Sequence, residues 1–457
     1  MKVAIVGGGA SGVLCAHALE AAGLDVVLAD PNPGRGLAYG GRQPAHLLNT
    51  RASAMALDEA RPDHFADWLD RKRPLDRAWS RHDFAPRQVY GDYLEARLGQ
   101  LAALGSVRLV RERVTRVARA EAGWRLSTAD GETFGADAVV LATGNPQPRP
   151  LAFPGRIALA PTVTIDDPWE EAALAAVPAA GAVLLVGTGL TAVDVAVSLL
   201  GRPAGPSVVA ASRRGLLPRI HDVPRPALAL EPPFPTTARG LYRRVRDLAE
   251  QVAGGDPYAR QAIFQGLKPV VPRIWAGLPL AEKRRFMRHL KPWWDVERHR
   301  LAPEVAAVLA EGEAHGRFEA LRGRIVQARP TPHGARVTLV SGRERRHVDV
   351  TRIVNCTGPD WSVAERGDPL IASVAAAGAL PDDMGLGLAV DDWCRTLGRR
   401  GPVDGLYALG PLTRGTFFEI TAVPEIRAKA AKIAQHLSAA RSLQSEGGER
   451  RSAAAAR

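Results

Sequence analysis

Two short glycine runs hold the residues whose types and spacing could do chemistry in this chain. In "VGGGASG", Gly7, Gly9 and Gly12 stand in G-x-G-x-x-G spacing, directly after the apolar run "KVAIV". In "VGTGLTA", Gly187 and Gly189 repeat the first two positions and Ala192 takes the third. Each position has a job in a dinucleotide-binding turn. The first permits the tight turn, the second lets the backbone approach a pyrophosphate, and the third lets the following helix pack close to the sheet; alanine is tolerated third. The helix that begins there offers unbonded N–H groups and the positive end of its dipole to phosphates. Those groups belong to Ala10 and Ser11 in the first run, and to Leu190 and Thr191 in the second.

The residues that close each following strand differ. "LDVVLAD" ends in Asp30, a carboxylate placed to accept hydrogen bonds from ribose hydroxyls. "PSVVAA" ends in Ser212, Arg213 and Arg214. An acid there would repel a 2′-phosphate, whereas a guanidinium pairs with it through a fork of donors. The second ligand is therefore expected to be NADP(H) rather than NAD(H). Asp194, early in the second helix, reads as a surface acid near the dipole's positive end. His221 reads as structural.

These runs need β-α-β units to position them. Strands are expected at 2–6 and 24–30 around a helix at 9–22, and a second unit at 182–212. Residues 34–95 read as loop-rich with short helical pieces. Residues 107–144 read as a small meander ending in a buried strand. "GNPQPRPLAFPG" at 144–155 reads as a linker, and 216–310 as a helical insertion. Strands return at 323–328, 336–341 and 350–355, and a last strand at 405–410 precedes a helix at 422–440. The tail at 441–457 reads as disordered. No repeat beyond the two β-α-β units is evident.

At 457 residues the chain is too long for one core. With 46% hydrophobic and 24% charged residues it has an ordinary globular composition. No apolar run reaches the length of a membrane span, and nothing after Met1 resembles a secretion signal, so no membrane partner and a cytoplasmic location are expected. Cys15, Cys356 and Cys394 form neither a C-x-x-C pair nor a metal-ligand spacing; no metal is expected. The net charge of +12 is spread along the chain as arginine rather than gathered in a stripe. It implies no nucleic-acid partner by itself.

An acid-bearing motif at the start and an arginine-bearing one in mid-chain resemble the layout of the two-dinucleotide-binding-domain flavoproteins. Three further stretches match: "DAVVLATGNP" (137–146), "IVNCTGP" (353–359) and "GLYALGPL" (405–412). The resemblance spans nearly the whole chain. It implies an α/β fold with two Rossmann-like domains, a discontinuous FAD domain (1–150 and 361–440) and an inserted NADP domain (151–360). It also implies FAD contacts at Val114, Thr143, Gly144, Gly410 and Pro411, and a cofactor contact at Gly358. "GRGLAYG" (34–40), "HLLNTRASAM" (46–55) and "FAPRQVYGDYL" (84–94) are similar to segments of a bacterial FAD/NAD(P)-binding subgroup. By that likeness Gly36, Tyr39 and Asn49 would touch the flavin.

Within this family, disulfide reductases need a redox cysteine pair, which is missing here. Baeyer–Villiger enzymes carry F-x-G-x-x-x-H; Phe153 and Gly155 match, but Leu159 stands where the histidine belongs. N-hydroxylating enzymes carry D-x-x-x-L-A-T-G with a later proline. Asp137, Leu141, Ala142, Thr143, Gly144 and Pro150 match, while Asn145 departs from the usual tyrosine. The expectation is an NADPH-using FAD monooxygenase acting with molecular oxygen on a small molecule, at an amine nitrogen. An NADPH:acceptor flavin reductase and a non-catalytic FAD-binding regulator remain as alternatives. No acid–base residue is called for by the motifs; Arg298, His299 and Arg300 are noted as anion-binding groups or as a basic helix.

Overall fold

The computed structural model describes residues 1–41, 43–72, 79–152, 159–222, 227–253, 259–362 and 367–455. Phe153 and Gly155 of the Baeyer–Villiger comparison lie outside them. The chain forms two compact units. The first comprises 1–40, 50–145 and 361–457, and the second 41–49 and 146–360.

In the first unit a six-stranded sheet runs Arg395–Gly398, Gly401–Ala408, Ala138–Leu141, Lys2–Val6, Asp25–Ala29, Val107–Val110. All neighbours are parallel except the first pair. Val3, Ile5 and Leu28 are buried on one face of the sheet and Ala4, Val27 and Val139 on the other, as parallel strands covered on both sides require. The helix Ala10–Ala21 connects the first two strands. The C-terminal helix packs against it, which is how a segment distant in sequence closes this unit. A three-stranded antiparallel meander, Val114–Arg119, Trp124–Thr128 and Thr133–Ala136, precedes the return strand Ala138–Leu141.

The second unit repeats this plan. Its parallel sheet runs Phe318–Arg322, Ser207–Ser212, Ala182–Val186, Arg352–Asn355, Thr164–Ile165. The helix Leu190–Leu200 makes the crossover. An antiparallel meander, Arg324–Thr331, Gly334–Ser341 and Glu344–Val350, again precedes the return strand. Its Val337, Leu339 and Val350 bury against Leu184, Val209 and Ile353 of the sheet. The repeat therefore extends past the β-α-β units: the return strands match as the resemblance of 137–146 and 353–359 implied, and the meander repeats as well. Among the described residues the insertion supplies six helices between Ala238 and Ala314.

Six elements differ from expectation. Residues 87–103 form one 17-residue helix, where only short helical pieces were expected up to residue 95; its interior Gly91 weakens the helical signal. Four strands, 318–322, 344–350, 395–398 and 164–165, were not expected. The last helix spans Val423–Ala455, so the segment read as a disordered tail continues it. Alanine, arginine and glutamate there favour helix strongly enough to pass two glycines.

Candidate functional site

The first site is assembled at the carboxyl ends of the parallel strands, where open α/β sheets bind ligands. Gly7 follows Lys2–Val6 with φ +106°, and its N–H donates to the Ala29 carbonyl at 2.9 Å. A Cβ there would fall 2.4 Å from the Ala142 carbonyl oxygen. Only glycine fits both the conformation and the approach. A Cβ on Gly12 would fall 1.9 Å from the Gly7 oxygen, which is the close packing of helix on strand that the third glycine allows. Gly9 caps the helix with no side-chain hydrogen bond. The first-turn N–H groups at Ala10 and Ser11 are thus left for an anion.

Other candidate residues converge on the same turn. A Cβ on Gly36 (φ +62°) would stand 2.7 Å from Gly9 Cα, so the 34–40 segment lies directly over the second glycine. A Cβ on Gly410 would meet Ser11 Oγ at 2.5 Å. That brings Gly410 and Pro411, in the turn Gly410–Thr413, to the helix start. The Leu409 N–H donates to the Leu141 carbonyl at 2.9 Å, which places the late segment beside Ala142, Thr143 and Gly144.

Asp30 is engaged on both oxygens: Gly8 N–H donates to Oδ2 at 2.7 Å and Asn32 N–H to Oδ1 at 2.8 Å. These bonds aim the carboxylate at the glycine turn, and a carboxylate has lone pairs left for ribose hydroxyls. Val114 opens the meander, buried at the start of its strand.

Tyr39 packs edge-on against Tyr90, ring centroids 4.7 Å apart, in a cluster with Phe65 and Tyr93. Gly91 permits this: a Cβ there would fall 2.4 Å from the Tyr39 carbonyl oxygen. Arg35 ties the same segment to Asp92 at 2.5 Å and Glu95 at 2.8 Å. The 84–94 motif thus acts by holding 34–40 in place.

The second site copies the first. Gly187 has φ +131°, its N–H donates to the Ala211 carbonyl at 2.8 Å, and a Cβ would fall 2.3 Å from the Cys356 carbonyl oxygen. Gly189 caps Leu190–Leu200 without a side-chain bond, leaving the turn at Leu190 and Thr191 open. Thr357 and Gly358 (φ +85°) follow the return strand as Thr143 and Gly144 (φ +72°) follow theirs.

Where the first site has Asp30, the second has the Ser212 hydroxyl, 2.8 Å from Thr188 Oγ1 and accepting from Gly215 N–H at 3.0 Å. Arg213 is exposed. Arg214 is occupied: Nη2 donates to the His289 carbonyl at 3.1 Å and its guanidinium lies 5.6 Å from the Trp293 ring centre.

Asn49 belongs to the second unit, Gly36 and Tyr39 to the first. Residues 41–49 pack with the second unit, where the Asn49 carbonyl accepts from His221 Nε2 at 2.9 Å. The anchor is His46, 7% exposed, with Nε2 2.7 Å from Ser198 Oγ and 2.9 Å from the Asp194 carbonyl. Asp194, read as a surface acid, is buried; it lies on the face of its helix that this segment covers. Arg300 is buried at 3% exposure, and desolvation lowers its pKa to about 10, so it is no solvated basic helix face.

Several residues here had no motif to announce them. Arg322 pairs in parallel register with Ser212 and so shares its sheet face at the carboxyl edge. Asp382 is buried against Gly415, its carboxyl raised above the usual range by desolvation. A pattern of alternating strand residues could have flagged Arg322; nothing local flags Asp382 or His46.

The three thiols are buried and unpaired. Burial raises all of them, Cys394 to about 12, which suits inert core cysteines rather than redox nucleophiles. Among the described residues no cluster of metal-ligating side chains occurs. No helix among them is long and apolar enough to cross a membrane.

Residues 4–146 match a family described as FAD-NAD(P)-binding. Among curated proteins none matches the sequence. Solved structures do. An ornithine N-hydroxylase of Kutzneria sp. 744, with reduced FAD, NADP+ and L-ornithine, superposes with a TM-score of 0.66 at 20% identity, over 96% of this chain and 99% of its own. L-lysine 6-monooxygenase of Pseudomonas syringae gives 0.65 at 19%, over 96% and 99%. FAD-bound cadaverine monooxygenase of Erwinia amylovora gives 0.64 at 15%, over 94% and 92%. The fold is that of the two-dinucleotide-binding-domain flavoproteins.

Proposed function

We propose that this chain is an FAD- and NADPH-using oxidoreductase, a flavin monooxygenase that oxygenates a small molecule at an amine nitrogen. One observation carries the cofactor assignment. Two glycine turns share one backbone frame, and one is followed by a carboxylate while the other is followed by arginines. The FAD-NAD(P)-binding match over 4–146 supports the first half, and the likeness to amine monooxygenases supports the reaction class.

The residues fit the cofactors. A pyrophosphate meets a turn where a Cβ on Gly36 would crowd Gly9 and where Gly410 lies against Ser11. The open helix end supplies N–H donors. Asp30 orients a ribose, and Arg213, exposed beside Ser212, offers its guanidinium to a 2′-phosphate. When bound, FAD reduced by NADPH supplies the electron transfer and oxygen activation. The chain's own part is to bind, orient and keep the two dinucleotides in their separate turns.

The test is oxygen consumption by the FAD-loaded protein with NADPH across a panel of diamines and amino acids, with assay for the N-hydroxylated amine. Amine-dependent oxygen uptake with matching product supports the reading. NADPH oxidation that proceeds only with an added electron acceptor, with no amine product, would replace it by the reductase.

A further inference from the structure

We propose that the helical insertion completes the second cofactor site. The Trp293 indole and the Arg214 guanidinium form a shelf on which the adenine of the nicotinamide dinucleotide stacks, while Arg213 takes the 2′-phosphate. This rests on the reading of the second glycine turn as an NADP(H) site.

The two adjacent arginines are not equivalent. Arg214 spends a donor on the carbonyl of His289, the last residue of the helix Leu280–His289, where the helix dipole favours a cation. Its flat guanidinium then lies over Trp293, on the next helix, Lys291–Arg298. A guanidinium fixed in this way is a surface more than a free fork. Arg213 is exposed and makes no hydrogen bond or ion pair with the described residues, so its fork remains available for a phosphate.

Trp293 is 47% exposed although indole is among the side chains that gain most from burial. It stands beside the strand end that carries the ribose-recognising residues. Ser212, two residues before Arg214, is bonded to Thr188 inside the glycine turn. A dinucleotide whose pyrophosphate sits at that turn runs its adenosine past the strand end, toward this corner. Purine faces stack on aromatic and guanidinium planes whatever their hydrogen-bond pattern. The shelf therefore serves NADPH and NADH alike, and Arg213 alone distinguishes them.

The experiment uses the full-length, FAD-loaded protein and its W293A, W293F and R213A variants, titrated calorimetrically with 2′,5′-ADP, NADP+, NAD+ and nicotinamide mononucleotide. W293A is expected to weaken the three adenine-bearing ligands by a similar factor of roughly ten, leave the mononucleotide unchanged, and recover most affinity in W293F. R213A is expected to weaken only 2′,5′-ADP and NADP+. Because Trp293 is half exposed, W293A leaves no core cavity, and an unchanged melting temperature verifies its fold. Tight wild-type binding of 2′,5′-ADP that W293A does not alter overturns the shelf alone. A wild type that binds none of the adenine ligands overturns the shelf together with the NADP(H) reading.

Discussion

Asp30 and Ser212 occupy corresponding strand ends, and in the proposed reading they set what each turn accepts. Asp30 holds its own loop through Gly8 and Asn32 as well as facing the site. Asp30→Ala is expected to weaken FAD retention by about 10- to 100-fold, the worth of hydrogen bonds to a charged group; measuring FAD release on dilution checks this. Asp30→Asn, which keeps an acceptor, should lose less. At this scale the two glycine turns were legible, because a tight turn and a close helix approach depend on residue type at fixed offsets. The division of labour between Arg213 and Arg214 was not, since it depends on His289 and Trp293, about eighty residues away in sequence. His46 was equally silent: its partners Asp194 and Ser198 become neighbours only when 41–49 folds onto the second unit.

The two crossover helices offer a paired test of how glycine positions act. In the first, a Cβ at Gly12 would collide with the Gly7 carbonyl; in the second, Ala192 sits buried in the same place. Gly12→Ala is expected to cost on the order of 1–3 kcal/mol by overpacking and to release FAD. Ala192→Gly should cost about 1 kcal/mol of helix propensity and keep NADP+ binding. Chemical denaturation and cofactor titration of both variants measure this; equal costs would refute the difference in packing. The parallel strands were readable as apolar runs. Glu344–Val350 was not, because its residues are almost all exposed and no apolar alternation marks it as a strand. The helix 87–103 was obscured by Gly91, whose place there is explained only by the Tyr39 carbonyl it admits.

Across the molecule, one plan is used twice: glycine turn, crossover helix, second strand, variable segment, antiparallel meander, return strand. The variable segment falls within 31–106, of which 41–49 belong to the second unit, and in the second copy it becomes the helical insertion. The sequence showed the repeat at the glycine turns and the return strands, each followed by Thr-Gly, but not at the meander. Stability should depend on partly buried histidines. Desolvation first, then Arg97, lowers His17 to about 4; burial also lowers His64 and His436. The unfolded chain regains a histidine pKa near 6.5 and binds more protons below it. Stability is thus expected to be intact above pH 6.5 and to fall as pH drops from there toward 4. Thermal melts across that range test it, and His17→Gln should flatten the slope.

The central claim is that the first turn holds FAD and the second brings NADPH. It is tested most directly by the visible spectrum of the FAD-reconstituted protein during anaerobic titration with NADPH and, separately, NADH. The account predicts a protein-bound flavin spectrum that NADPH bleaches at lower concentration than NADH, with R213A erasing that preference. A protein that retains no flavin after reconstitution, or a bound flavin that NADPH leaves oxidised, would contradict it.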